Sequence, residues 1–245
     1  MSSIPYRRIL LKLSGEVLMG ERPFGIDHSA CLNVAASVRR LTCLGIEVAI
    51  VLGGGNIFRG VHLGAMGIPR TPADQMGMIA TFLNGIALQQ ALIQQEVPCC
   101  LMSALECPKV AEPFHWARAL DQLKNKQVMI FVGGTGNPYF TTDTAAALRA
   151  SEMEVDLFLK ATKVNGIYNK DPKVHADAVK YPAISYNQLL AEKLQVMDAT
   201  AVVLCRNNCI PIFVFNMQQL LEENLEEALL NPVYGSWVME NTEFL

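Results

Sequence analysis

At 245 residues the chain can form one large domain or two small ones, and its 51% hydrophobic against 18% charged residues suit a sheet buried on both faces. A net charge of -3 and a pI near 5.8 argue against general nucleic-acid binding, which shows as a basic excess or stripe. Seven cysteines without a C-x-x-C pair, and four histidines without metal-ligand spacing, read as reduced core thiols of a cytosolic protein.

Taken in order, alternating apolar runs and helical patterns predict a largely parallel α/β sheet. The first strand is expected over 8–13, ending in the loop signal Ser14-Gly15-Glu16. Its apolar stretch is broken by Lys12, too short for a signal peptide. No run approaches the roughly 18 apolar residues of a spanning helix. Asp27 is an N-cap, and Ala30, Val34, Ala35, Val38 and Leu41 recur at helical spacing up to Gly45. The second strand, 47–52, runs into Gly53-Gly54-Gly55-Asn56. Glycines at the carboxyl end of a strand permit positive φ and close approach of a ligand to backbone N–H groups. A plain turn needs one glycine. Three, followed by Arg59-Gly60, favour a phosphate nest.

Residues 56–71 read as a mobile active-site loop. Thr71-Pro72-Ala73-Asp74 is a helix start, with Thr71 as N-cap and Asp74 at N3, and the helix extends to about Gln95. Gly77 and Gly85 within it point to close packing against a backbone or a ligand. A strand at 99–102, a helix at 114–124 and a strand at 128–132 follow, the last ending in Gly133-Gly134-Thr135-Gly136-Asn137-Pro138. Thr141-Thr142-Asp143 opens a helix to about Met153. A fifth strand is expected at 155–159, stopping at Lys160, then a polar loop over 161–183. Helices at 185–194 and 197–209, a strand at 212–215, a helix near 217–229 and a last edge strand around 236–239 complete the pattern. No linker or repeat divides the chain, so one domain over 1–245 is expected.

Lys12 to Gly15, Gly53 to Asn56, Gly133 to Thr142 and Lys160 to Lys163 each terminate an apolar run. In a parallel sheet they share one edge, where glycine nests and lysines would receive a polyanion. Neither nucleotide fingerprint is met: Val61-His62 follow Gly60 where a P-loop needs Lys and Ser or Thr, and Phe58 stands where a dinucleotide fold needs its third glycine. Each charged residue has a plainer alternative. Lys12 and Arg59 could be solvated, Asp74 and Asp143 could cap helices, and Tyr168 could be core.

The strings Lys12-Leu13-Ser14-Gly15-Glu16, Gly53 to Gly60, Asp74-Gln75-Met76-Gly77-Met78, Gly134-Thr135-Gly136-Asn137-Pro138-Tyr139-Phe140-Thr141-Thr142-Asp143 and Lys160 to Gly166 resemble the bacterial uridylate (UMP) kinases of the amino acid kinase superfamily. The match runs in order over nearly the whole chain. It implies a three-layer αβα sandwich that transfers the γ-phosphoryl of ATP to UMP, giving UDP for pyrimidine nucleotide biosynthesis. By motif match, Lys12 and Asp143 would be catalytic, with Lys160 or Lys163 an addition. ATP would contact Lys12, Leu13, Ser14, Gly15, Gly55, Arg59, Thr162, Tyr168 and Asp171. UMP would contact Gly54, Asp74, Thr135, Gly136, Asn137, Pro138, Tyr139, Phe140, Thr141 and Thr142.

The resemblance also implies a cytoplasmic homohexamer, with GTP as activator and UTP as inhibitor acting near Gly20, Glu21, Arg22, Pro23, Phe24 and Gly25. The sequence shows no carboxylate cluster for a protein-bound metal, so Mg²⁺ is expected on nucleotide phosphates and water. Asn165 and Tyr139 stand where many relatives carry Asp and Phe, and neither removes a reacting group. Two alternatives stay open: a kinase of another small acid, and a nucleotide-binding sensor without catalysis. Lys12 and Asp143 together argue against the sensor.

Overall fold

A computed structural model describes residues 5–58, 67–221, 225–230 and 232–240. Nine strands form one sheet in the order β4-β3-β5-β2-β1-β6-β10-β11-β9. They are β1 (Arg8–Leu13), β2 (Glu47–Leu52), β3 (Cys99–Ser103), β4 (Glu112–Pro113), β5 (Val128–Val132), β6 (Leu157–Thr162), β9 (Ala183–Ile184), β10 (Ile212–Asn216) and β11 (Gly235–Val238). All neighbours run parallel except β10 and β11. A separate antiparallel ribbon pairs β7 (Ile167–Tyr168) with β8 (Lys180–Tyr181).

The strands are apolar on both faces because both are covered. One face carries α1 (His28–Cys43), α2 (Arg70–Gln94), α7 (Gln218–Leu221) and α8 (Leu225–Leu230), packed on Ile9, Leu11, Val48, Ile50, Ile130 and Leu159. The other carries α3 (Trp116–Lys124), α4 (Thr142–Glu152), α5 (Tyr186–Ala191) and α6 (Ala199–Asn207), packed on Leu10, Ala49, Val51, Phe131, Phe158 and Val214. The expected αβα layering is therefore present. Buried Arg8 ties one end of it: its guanidinium donates to Glu47 Oε2 at 2.7 Å and to Met153 O at 2.6 Å, just past α4.

Strands β1, β2 and β5 coincide with the sequence pattern, and Asp27 caps α1 by accepting from Ala30 N–H. Several boundaries differ. The fifth strand is not 155–159 but Leu157–Thr162, because Glu154 turns with φ 51° and Val155 N–H returns to Ala150 O, closing the end of α4. Lys160 thus lies within a strand. Helix α2 starts at Arg70 behind Pro69, without a side-chain cap, so Thr71 is not the N-cap. The 161–183 loop contains the β7–β8 ribbon, and β11 is not an edge, since β9 pairs outside it. Of the expected helix near 217–229, the described residues hold α7 and α8. Nor are the cysteines all core: Cys43 and Cys209 are exposed.

Helix α2 is the one described helix long and apolar enough by composition to cross a membrane, although the sequence shows no comparable uninterrupted run. Half of its most apolar window packs inside the protein. Its two glycines serve different ends. A Cβ on Gly85 would lie 2.5 Å from Val132 Cγ1 and 2.8 Å from Leu101 Cδ1, so this residue lets the helix seat on β3 and β5. Gly77 faces open space. We expect Gly85→Ala to lower stability by about 1–3 kcal/mol through overpacking, read as a lower urea midpoint at unchanged m-value. Gly77→Ala should leave the midpoint at or above that of the native chain.

Candidate active site

The strand ends singled out in the sequence belong to β5, β2, β1 and β6, consecutive neighbours in the sheet. Lys12 and Lys160 are register partners on β1 and β6, so both side chains leave the same face. That face is crossed by α4, which links β5 to β6 over β2 and β1. The first turn of α4 brings Asp143 between the two lysines. Lys12 Nζ lies 2.9 Å from Asp143 Oδ1, and Lys160 Nζ donates to Asp143 Oδ2. The three side chains are only 12%, 7% and 13% exposed for Lys12, Lys160 and Asp143 respectively.

Burial alone would raise the Asp143 carboxyl, but the two ammonium groups outweigh it and hold it below the ordinary carboxylate range. Burial, then the neighbouring Lys12 charge, pushes Lys160 down to about 8, against the pull of Asp143. Lys163 is set apart from this cluster, with its Nζ 2.6 Å from Glu16 Oε2.

The start of α4 is built by a short hydrogen-bond chain. Thr141 Oγ1 accepts from Asp143 N–H at 3.1 Å and from Thr144 N–H at 3.4 Å, as a threonine N-cap does. The same hydroxyl donates to Asp198 Oδ2 at 2.5 Å, and Thr144 Oγ1 donates to Asp198 Oδ1 at 2.9 Å. Asp198 itself caps α6 by accepting from Ala201 N–H at 2.9 Å. The sequence reading passed over Asp198. Its only local signal is an acid ahead of an apolar helix.

The triple glycine has a different basis from the one expected. None of Gly53, Gly54 and Gly55 has positive φ; that conformation occurs at Gly133, Gly134 and Gly136 after β5. Gly54 is constrained by space: a Cβ there would lie 2.7 Å from Gly77 O and 2.9 Å from Ala80 Cβ of α2. Gly55 faces open space. A Cβ on Gly15 would overlap Asn56 Oδ1 and Gly53 O. Behind this turn, buried Asn56 and Asn84 exchange amide hydrogen bonds at 2.7 and 2.8 Å. Asn84 also donates to Gly53 O, and Asn56 to Gly25 O. This amide pair went unnoticed in the sequence because its members lie 28 residues apart.

Two cavities are lined by residues close in the chain to the ionic cluster. One, about 270 Å³, is lined by Gly54, Gly55, Asp74, Gly77, Thr135, Asn137 and Phe140 to Thr142, among others. Asp74 is no cap there. Its Oδ2 accepts from Arg70 Nε and from Tyr139 N–H, both at 2.7 Å. Tyr139 holds φ 72°, and its exposed ring lies under the Arg70 guanidinium at 5.4 Å. Gly136 backs onto Ala104, and neither Gly136, Pro138 nor Tyr139 lines the cavity.

The other cavity, about 480 Å³, is lined by Thr162, Tyr168 and Asp171, and opposite them by residues 192–196. Asp143 follows Thr142 on the first rim, and Lys160 stands two residues before Thr162 on the second. Leu13 is fully buried and its carbonyl accepts from Gly53 N–H. Ser14 Oγ accepts from Glu16 N–H. Arg59, expected near the triple glycine, lies outside the described residues, as does half of the 56–71 loop. In the 20–25 segment Phe24 is exposed, Arg22 pairs with Asp27 at 3.3 Å, and Gly25 N–H donates to Asn56 O. A larger cavity of about 630 Å³, lined by Tyr186, Arg206 and Met239, holds none of the residues singled out.

A family model described as "Amino acid kinase family" matches residues 7–216. A uridylate kinase of Protochlamydia amoebophila is 63% identical over 238 residues, covering 97% of this chain and 94% of the relative. The solved UMP kinase of Bacillus anthracis superposes with a TM-score of 0.90 at 34% identity, over 97% of this chain and 98% of that one. That of Ureaplasma parvum gives 0.88 at 38% identity, over 96% and 99%.

The cluster predicts its own response to charge removal. Asp143→Asn leaves two buried ammonium groups facing each other without the carboxylate. We expect the variant to lose about 3 kcal/mol of stability at neutral pH in urea titration. The Lys160 midpoint, followed by its 13Cε shift, should move further below about 8, since an opposite charge is lost while burial remains.

Proposed function

Because the chain belongs to the amino acid kinase family, we infer from its site and its relatives that it is a uridylate kinase, transferring the γ-phosphoryl of ATP to UMP in pyrimidine nucleotide synthesis. The observation that carries this reading is a buried Lys–Asp–Lys cluster at the carboxyl edge of the sheet, with Thr142 beside Asp143 lining one cavity and Thr162 beyond Lys160 lining another. Phosphoryl transfer requires fixed positive charge and in-line placement more than a covalent nucleophile. Lys12 and Lys160 supply that charge where the phosphoryl oxygens meet. Asp143 holds both ammonium groups toward the transfer point and keeps them charged.

The cavity at Asp74 takes UMP, with Gly54, Thr135, Asn137, Phe140, Thr141 and Thr142 lining it and Gly136, Pro138 and Tyr139 in the same loop but off the cavity wall. Arg70 and Tyr139 occupy Asp74 Oδ2, and Oδ1 accepts from a ribose hydroxyl. The cavity at Tyr168 takes ATP, with Thr162 and Asp171 on its rim and Lys12, Leu13, Ser14, Gly15, Gly55 and Arg59 toward the phosphates. The lysine addition is assigned to Lys160, since Lys163 is engaged by Glu16.

Among the described residues no group of three or more His, Cys, Asp or Glu side chains could hold a metal ion, and both Asp143 oxygens face lysines. The chain thus fits a Mg²⁺ held by nucleotide phosphates and water, where it supplies further charge neutralisation. The reading extends to one domain, a cytoplasmic location and a homohexamer. Exposed Ile79, Leu83 and Ile93 on the outer face of α2 support contact between copies. GTP activation and UTP inhibition are placed at Gly20–Gly25, whose bonds to Asn56 reach the glycine turn.

A coupled ADP-release assay offering UMP, CMP and acetylglutamate separately tests the reading. UMP should give turnover well above the other two; turnover with acetylglutamate and none with UMP would reverse it. Asp74→Asn should raise KM for UMP by about tenfold or more and leave KM for ATP within about twofold, as expected when one hydrogen bond to a single substrate is lost. The opposite pattern would mean that the two cavities have exchanged roles.

A further inference from the structure

Asp198 belongs to none of the motifs that mark the site, yet it grips the helix that carries Asp143. Capping α6 needs one carboxylate oxygen, and Oδ1 meets that need through Ala201 N–H. Oδ1 also receives the Thr144 hydroxyl, and Oδ2 is directed to the Thr141 hydroxyl on a different helix. Serine would cap α6 about as well. A charged, two-armed acceptor at this position therefore has a use beyond its own helix.

We propose that Asp198 is a positioning residue for phosphoryl transfer: by accepting from Thr141 and Thr144 it sets the first turn of α4 and so holds Asp143 between Lys12 and Lys160. The proposal rests on the kinase reading above. Its chemistry follows from proton direction. A carboxylate only accepts, so both threonine hydroxyls must donate toward it. The lone pairs of Thr141 are thereby turned to the N–H groups of Asp143 and Thr144. An amide in place of the carboxylate can present N–H to Thr141 and reverse that order.

The charge of Asp198 also acts on Lys160. The titratable groups around that lysine are Lys12 on β1, Asp143 on α4, Asp198 at the head of α6 and the Cys205 thiol within it. Its register partner on β10 is apolar Val214. Of these, Asp143 and Asp198 favour the protonated amine. Neutralising Asp198 therefore makes Lys160 lose its proton at lower pH.

Asp198→Asn and Asp198→Ser both retain an N-cap for α6, so each should fold. In either variant we expect kcat with UMP to fall about ten- to a hundredfold, the range for a residue that orients a catalytic group, with KM for ATP little changed. The alkaline limb of the kcat profile should move to lower pH. The 13Cε titration of Lys160 in the ligand-free protein should move the same way. A lower melting temperature with unchanged kcat and an unchanged Lys160 midpoint would reduce Asp198 to a helix cap and overturn the proposal. The ligand-free titration needs no substrate. Should the native protein fail to phosphorylate UMP, the kinase reading falls, while the Lys160 midpoint still decides the case of Asp198.

Discussion

Two lysines in register on neighbouring parallel strands, both turned to the covered face, are a local conflict on which the site depends. Two ammonium groups held by one carboxylate repel by a few kcal/mol, roughly 4 kcal/mol for charges about 4 Å apart at an effective dielectric near 20. A carboxylate within 3 Å of each attracts each by more than that, so one Asp143 reverses the sign of the local field energy. The desolvation of three charges remains, which is why this arrangement is poor as a stabilising device. Under the proposed function it makes sense as a device that keeps positive charge fixed in a partly dry place.

Holding Asp143 there is a task for the whole crossover from β5 to β6. At its far end, Arg8 donates to Met153 O while paired with Glu47, tying the helix to the amino ends of β1 and β2. At its near end, Thr141 and Thr144 are tied to Asp198, and hence to α6. Small residues between these points, Ala145, Ala146, Ala147 and Ala150, let the helix lie close on the sheet. A rigid carrier of this kind keeps the Asp143 carboxylate fixed between Lys12 and Lys160.

The glycines illustrate how a correct location can be inferred for an incomplete reason. Their clustering marks the carboxyl edge of the sheet, and that edge is where the cavities open. Positive φ accounts for Gly133, Gly134 and Gly136 but for none of Gly53 to Gly55. Gly54 is small because α2 crosses it closely at Gly77 and Ala80, a contact 23 to 26 residues away in the chain. Gly15 is small because the Asn56–Asn84 amide pair fills the space above it. Helix α2 therefore shapes the floor of the site as well as one wall of it.

What the sequence by itself determined is the set of elements with strong periodicity and firm punctuation. The strands at 8–13, 47–52 and 128–132, the Asp27 cap and the helix start at Thr141-Thr142-Asp143 were all legible, because period and capping are local physics. So was the site's edge, since parallel strands place their carboxyl ends together. The tertiary structure alone decided which lysine joins Asp143, because Lys160 lies inside β6 in register with Lys12, whereas Lys163 lies just past the end of that strand and pairs with Glu16. It alone moved that strand to Leu157–Thr162, where the closing turn of α4 claims residues 153–155. It alone joined Asp198 to Thr141, and Asn56 to Asn84. Such pairings depend on distances between elements, which no local pattern of residues encodes.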